Sequence, residues 1–235
     1  MEDWAVNSAG ECHLDVVEVR GSNPLPPIPQ DSENGSFFIC PNLHSLSIKD
    51  YKVAMKVLIA SDIHGSEYRA QQIHDIWQNG SFDSVILLGD LLYHGPRNDL
   101  PPFYRPKGVI PLLSEMKNSI TAVRGNCDAE VDQMVLPFPI TADSKTLTID
   151  GKKVFLMHGH HDLDYGDASV VMSGHTHVPV LEERNGVVFL NPGSTTIPKN
   201  GSAPSYAVWD DGRIGIISLE DSRVVASLDV NAFLH

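Results

Sequence analysis

The chain has 235 residues, 42% hydrophobic and 20% charged, which excludes a collagen-like, coiled-coil or wholly disordered protein and leaves enough length for a sizeable core. Its 17 Lys+Arg against 30 Asp+Glu give a formal net charge of −13, which disfavours nucleic-acid binding through a broad basic face but still admits a single phosphate where bound metal inverts the local charge. Three sparse cysteines, Cys12, Cys40 and Cys127, form no disulfide framework and point to a reducing, cytoplasmic setting; no apolar run approaches the roughly 20 residues that span a bilayer.

Residues 1–54 read as a disordered tail or as an extension ahead of a true start at Met55. They carry the run Asn23-Pro24-Leu25-Pro26-Pro27-Ile28-Pro29, lack helical or strand periodicity, and hold 8 acidic and 3 basic residues. From Met55 the pattern is organised. Val57-Leu58-Ile59-Ala60 predicts a buried strand running into Asp62-Ile63-His64. Residues 66–79 predict a helix with Ile73, Ile76 and Trp77 on one face; His74 is expected toward solvent. Val85-Ile86-Leu87-Leu88 predicts a second strand ending in Gly89-Asp90, and a helix over 108–117 leads to a short strand at 120–123. Such alternation implies parallel pairing through right-handed crossovers. The second half is strand-rich: Asp150-Gly151, Asn185-Gly186 and Asp211-Gly212 each join two apolar runs and predict hairpins, and Val170-Val171-Met172 predicts a further strand. Residues 55–235 therefore read as one domain of two packed sheets with helices outside.

One arrangement recurs: an apolar strand followed almost at once by Asp, Asn or His. The groups are Asp62 with His64, Asp90, Asn126, His158, and His175 with His177. Ligands of open α/β sheets collect beyond the carboxyl ends of the strands. Any one of these residues alone is an ordinary loop residue, but eight of the 11 histidines lie between positions 64 and 177, five of them just after strand-like runs. Mixed carboxylate, imidazole and amide donors suit Mn, Fe, Zn or Co. Seven donors exceed one tetrahedral zinc and match two metals sharing a carboxylate.

Asp62-Ile63-His64, Gly89-Asp90, Gly125-Asn126-Cys127-Asp128, His158-Gly159-His160 and Gly174-His175-Thr176-His177 together resemble the motifs of the calcineurin-like metallophosphoesterase superfamily, in order and spacing. Ala60 to Ser66, His94-Gly95-Pro96-Arg97-Asn98 and Asn191-Pro192-Gly193-Ser194 extend the resemblance to its small YfcE-type phosphodiesterases, over residues 55 to about 230. The resemblance implies a four-layer α/β/β/α sandwich of two mixed sheets flanked by helices. It also implies a two-metal centre, manganese first with Fe, Zn, Co or Mg as alternatives. Asp62, His64 and His177 would hold one cation, Asn126, His158 and His175 the other, and Asp90 both. Asn126, Cys127 and Asp128 are the catalytic candidates that follow.

The implied activity is hydrolysis of a small phosphodiester by metal-activated water. The alternatives are a noncatalytic protein-binding scaffold of the same fold and a nucleotide phosphatase. A homo-oligomer is open. Two departures stand out: Cys127 occupies a position where many members carry a leaving-group histidine, and only 13 residues, His161 to Ser173, separate His160 from Gly174, which would remove a crossover helix and open one wall of the cleft. Arg97 and Arg124 are candidates for phosphate contact or structural ion pairs. His94 and His160 are expected at the cleft rim, and His161 toward solvent.

Overall fold

The computed structural model describes residues 54–233, so the expected tail lies, apart from Ala54, outside the described residues. The first strand, β1 (Lys56–Ala60), lies in a six-stranded sheet with β2 (Ser84–Leu87), β3 (Ile120–Ala122), β9 (Ser205–Asp210), β10 (Arg213–Ser218) and β11 (Val224–Asp229). The order is β11-β10-β9-β1-β2-β3. The central strands β1, β2 and β3 run parallel, and β9 to β11 add antiparallel strands at one side. A second sheet contains β4 (Ser144–Ile149), β5 (Lys152–Met157), β6 (Val170–Met172), β7 (Val180–Arg184) and β8 (Val187–Asn191), in the order β4-β5-β6-β8-β7. Both sheets are mixed, as the alternation in the front half and the hairpins in the back half predict.

Strand alternation divides β1 between two cores. Val57 and Ile59 face the second sheet and pack with Ile86, Leu88, Trp209, Leu156 and Met172; Leu58 and Ala60 face the helices. Burying each such aliphatic side chain contributes about 1.5–3 kcal/mol. Helices α1 (Glu67–Gly80) and α2 (Pro106–Glu115) cover the outer face of the first sheet, with Ala70, Ile73, Val109 and Leu113 turned inward. His74 does not face solvent as expected: it is 5% exposed, and its Nε2 lies 2.8 Å from the Glu115 carboxylate, so the ring ties α1 to the end of α2.

All three predicted hairpins form. Their turn pairs, Asp150-Gly151, Asn185-Gly186 and Asp211-Gly212, have positive φ at both residues, the tight-turn geometry that suits strand twist. The strand β11, the short helix α3 (Glu130–Gln133) and a final 3₁₀ turn were not predicted. The crossover from β5 to the parallel β6 is a loop, not a helix. Leu163, Tyr165 and Ala168 of that loop fold onto Phe155, Val171 and Phe189, with Tyr165 edge-on to Phe189 at 5.8 Å. The shortened segment thus still supplies a thin outer layer over the second sheet.

Candidate metal centre

The expected donors lie just beyond the carboxyl ends of β1, β2, β3, β5 and β6, at the junction of the two sheets. Five of the seven sit in left-handed backbone: Asp62 (φ 56°), His64 (47°), Asp90 (56°), His175 (65°) and His177 (61°). For residues other than glycine this conformation costs of order 1–3 kcal/mol each, and it persists where surrounding contacts over-determine it. Those contacts are present. Ser194 Oγ donates to the Asp62 carbonyl at 2.8 Å and Thr196 Oγ1 to the Ile63 carbonyl at 2.7 Å. The His64 N–H donates to the Asp90 carbonyl at 2.9 Å. Asn191 Nδ2 donates to the Gly174 carbonyl at 2.6 Å, bracing the turn that carries His175. Gly125 is required for close approach, since a Cβ there would lie 2.1 Å from Asp90 Oδ1 and 2.3 Å from its backbone nitrogen.

The tautomers follow from hydrogen bonding. Nδ1 of His64, His177 and His158 each faces a backbone carbonyl, of Tyr93 at 2.8 Å, Ile197 at 2.7 Å and Leu88 at 2.6 Å. A carbonyl only accepts, so Nδ1 carries hydrogen and, in the neutral ring, Nε2 presents a lone pair. His64 Nε2 and His177 Nε2 are 3.2 Å apart, and His177 Nε2 is 3.2 Å from Asp62 Oδ1. Asp62 Oδ1 is buried with no hydrogen bond. His158 Nε2 lies 3.5 Å from Asp90 Oδ2 and 3.1 Å from Asn126 Oδ1. Acceptors facing acceptors repel unless a proton or cation lies between them, so this donor set fits divalent metal. The sets Asp62/His64/His177, Asp62/Asp90/His158 and His64/Asp90/Cys127 each bring their ligand atoms within 4.8 Å of one another.

With only the protein's own charges present, a proton takes part of that place. Burial opposes the charge on Asp90, but the hydrogen bond and charge of His158, helped by the Cys127 N–H, hold its carboxyl down at about 2. Burial likewise opposes charge on His158, and Asp90 and Asp62 overcome it, raising the ring to about 9. Burial lowers His64 and His175.

The other expected residues separate into groups. The His175 ring lies 5.1 Å from that of His158, outside the three tight sets, while its N–H donates to Asp62 Oδ2 at 3.1 Å. Asn126 is exposed and its Nδ2 donates to Cys127 Sγ at 3.1 Å. The Cys127 N–H donates to Asp90 Oδ1 at 2.7 Å, and burial, followed by the Asp90 charge, pushes its thiol up to about 12. Arg97, Arg124, Asn126, Cys127, His175 and His177 line a cleft of about 1170 Å³. His94 and His160 do not line it: His94 is packed against Tyr93 and Tyr104, and His160 sits between His158 and His161. His161 is exposed, as expected. Sequence reasoning missed Tyr93 and Lys199 in the cleft lining, which no motif marks, and gave no role to the hydroxyls of Ser194 and Thr196, although Ser194 falls in a stretch it had singled out.

Asp128, a catalytic candidate, has both oxygens occupied. It accepts from the N–H groups of Asp90, Leu91 and Gly125, each at 2.8 Å, and is 3% exposed. Burial pushes its carboxyl up to about 6 even against those bonds. This geometry suits a clamp between the β2 and β3 loops. Asp128→Ala would leave three N–H groups unsatisfied. The expected loss is about 3 kcal/mol, or roughly 6–12 °C in Tm for a chain of this size. A calorimetric Tm within about 2 °C of wild type would contradict the clamp.

Comparisons with known proteins bear on the family and the fold. The model of the calcineurin-like phosphoesterase superfamily domain matches residues 55–211. Phosphodiesterase YfcE of Escherichia coli is 41% identical over 184 residues, covering 75% of this chain and 99% of the relative. Its solved structure superposes with a TM-score of 0.71, covering 75% of this chain and 100% of that one. Phosphodiesterase MJ0936 of Methanocaldococcus jannaschii is 28% identical over 151 residues, 59% of this chain and 83% of the relative. Entamoeba histolytica Vps29 solved with zinc is 24% identical with a TM-score of 0.53 over 75% of this chain and 100% of that one, a likeness of fold alone. The chain belongs to the calcineurin-like phosphoesterase superfamily.

Proposed function

We propose that the protein is a metal-dependent phosphodiesterase holding two divalent cations, manganese preferred. The observation that carries this reading is the convergence of the Nε2 atoms of His64, His177 and His158 on the buried carboxylates of Asp62 and Asp90. Asp62, His64 and His177 would hold one cation and Asn126, His158 and His175 the other, with Asp90 shared. When bound, the cations supply Lewis-acid polarisation of the phosphoryl group and acidified water for attack. The chain's own work is to fix the Nδ1–H tautomers through three carbonyls, hold Asp90 through the Cys127 N–H, and admit substrate beside Arg97, Arg124 and Lys199. A binding scaffold of the same fold has no need of a complete donor set. Among the described residues no helix is long and apolar enough to cross a membrane, and the sparse cysteines suit the cytoplasm.

The test is hydrolysis by purified protein supplied with Mn²⁺. Release of aryl alcohol from an aryl phosphodiester, faster than from the matching monoester, is the expected result. No diester hydrolysis with Mn²⁺, Zn²⁺, Co²⁺, Fe²⁺ or Mg²⁺ would overturn the proposal in favour of a scaffold.

Cys127 bears on the leaving group. A neutral thiol pushed up to about 12 is a poor proton donor to a departing alkoxide. Cys127→His is expected to raise kcat/KM on an alkyl diester by at least roughly threefold and to leave an activated aryl diester unaccelerated; good geometry would give about 10²–10⁴. Gly95 approaches closely, a Cβ there falling 2.8 Å from Cys127 Sγ, and that crowding limits the gain. Equal slowing of both substrates with metals still bound would show that this side chain does not face the leaving group.

A further inference from the structure

A phosphodiester carries one negative charge. Two divalent cations with Asp62 and Asp90 already leave a net positive site to meet it. The same cleft nevertheless presents two further guanidinium groups. Arg97, exposed on the loop after β2, makes no side-chain bond among the described residues. Arg124, at the end of β3, makes one, from Nε to the Asp128 carbonyl at 3.4 Å. Among the described residues neither meets a carboxylate, in a chain where acids outnumber bases 30 to 17. By contrast Arg105, Arg184 and Arg223 pair with Glu67, Glu182 and Asp221. Of the acidic side chains lining the cleft, Asp90 and Asp128 are engaged as described, which leaves Glu130 exposed on the same wall.

Position matters as much as charge. Asn98 Nδ2 donates to the His94 carbonyl at 2.8 Å and fixes the turn that carries Arg97. Gly95 of that turn packs against Cys127 Sγ. Arg124 lies three residues before Cys127. Both residues therefore stand on the loops at the Cys127 side of the cleft they line, where the superfamily resemblance would place a leaving-group imidazole and this chain has none. Lys199 belongs to the opposite side, its N–H bonded to the His177 carbonyl at 3.2 Å.

We infer that Arg97 and Arg124 form a site for a second phosphate, and that the substrate class is the diphosphate-bridged diester, R–O–P–O–P–O–R′, cleaved at the anhydride. This rests on the diesterase reading above and specifies its substrate. Water attacks one phosphorus, forming a P–O bond. The bond from that phosphorus to the bridging oxygen breaks, and its electron pair stays on the departing phosphate monoester. The protons of water pass to solvent, so one diester and one water give two monoesters. The departing group is a phosphate, which needs charge neutralisation more than a proton. Planar guanidinium provides this by bidentate contact.

The test compares a dialkyl diphosphate with an aryl phosphodiester, using Mn²⁺-loaded protein and the variants Arg97→Gln, Arg124→Gln and Lys199→Gln. Charge-assisted hydrogen bonds are worth about 1.5–3 kcal/mol, so each arginine variant is expected to lower kcat/KM for the diphosphate relative to the aryl diester at least about tenfold. Lys199→Gln is expected to change the two substrates together. A methylene-bridged diphosphonate diester, which cannot be cleaved, gives a readout independent of turnover: its Kd by calorimetry is expected to rise at least about tenfold in each arginine variant. Hydrolysis of the aryl diester without the diphosphate would overturn the inference alone. So would arginine variants in which the substrate ratio and the Kd stay within about twofold of wild type. If wild type cleaves neither substrate, the diesterase reading itself fails.

Discussion

Protein stripped of metal by a chelator is expected to lose hydrolysis of an aryl phosphodiester by on the order of 10³-fold or more, about 4 kcal/mol of transition-state stabilisation, and to regain it best with Mn²⁺ and more weakly with Mg²⁺. The order follows from the donors: His64, His158, His175 and His177 offer imidazole nitrogen, which suits transition metals better than magnesium. Stability moves with occupancy. A cation at about 100 times its Kd adds about 2.7 kcal/mol, a rise of roughly 5–11 °C in Tm. A proton competes for the same place. Asp90 and Asp62 keep His158 protonated up to about 9 in the absence of metal, so the cation must displace that proton. The Mn²⁺ concentration needed for half-activation therefore falls as pH is raised toward 9. Titration calorimetry in two buffers of different ionisation enthalpy measures the proton release. Full activity in protein shown to be metal-free would end the metal reading.

Strands β1, β2 and β6, which lead into Asp62, Asp90 and His175, were legible in the sequence because they are buried on both faces. Val57-Leu58-Ile59-Ala60 has no polar interruption, and its abrupt end at Ser61-Asp62 marks the point where backbone leaves the core. The hairpins were legible because Asn-Gly and Asp-Gly tolerate positive φ at both turn residues. Other features had no such local mark. Strand β11 alternates weakly, with Val224 and Val225 exposed at the sheet edge, and it owes its form to pairing with β10. His74 looked solvent-facing because a titratable side chain favours water, although its spacing puts it on the inner face with Ala70 and Ile73; the neighbouring Glu115 makes its burial favourable. Asp128 looked catalytic from its place beside Asn126 and Cys127. Two of its three N–H partners, Asp90 and Leu91, lie 38 and 37 positions away in sequence, a distance no motif spans. The left-handed backbone at Asp62, His64, Asp90, His175 and His177 was also invisible, since side-chain pattern reports burial and not φ.

Asp90 is the residue whose loss tests the centre most directly. Asp90→Asn is expected to lower kcat/KM by at least roughly 10²-fold, about 2.7 kcal/mol, with metal content falling from two per chain to one or none. The substitution is nearly isosteric, so the carbonyl oxygen of the amide can still accept from the Cys127 N–H, as Oδ1 does at 2.7 Å. The loop is retained and charge is removed. The second oxygen becomes an NH₂ group, and this faces His158 Nε2 across 3.5 Å. It can donate to the imidazole nitrogen that the proposed assignment gives to a cation, so on that assignment the change removes the shared carboxylate and engages a neighbouring ligand together. His64 Nε2, 3.7 Å from Asp90 Oδ2, loses the same negative partner. Elemental analysis of the purified variant, read beside its kinetics and its far-UV spectrum, separates loss of metal from loss of fold. A folded Asp90→Asn protein that keeps two cations and turns over within about threefold of wild type would show that this carboxylate does not bridge them, and the ligand assignment would have to be rebuilt around Asp62.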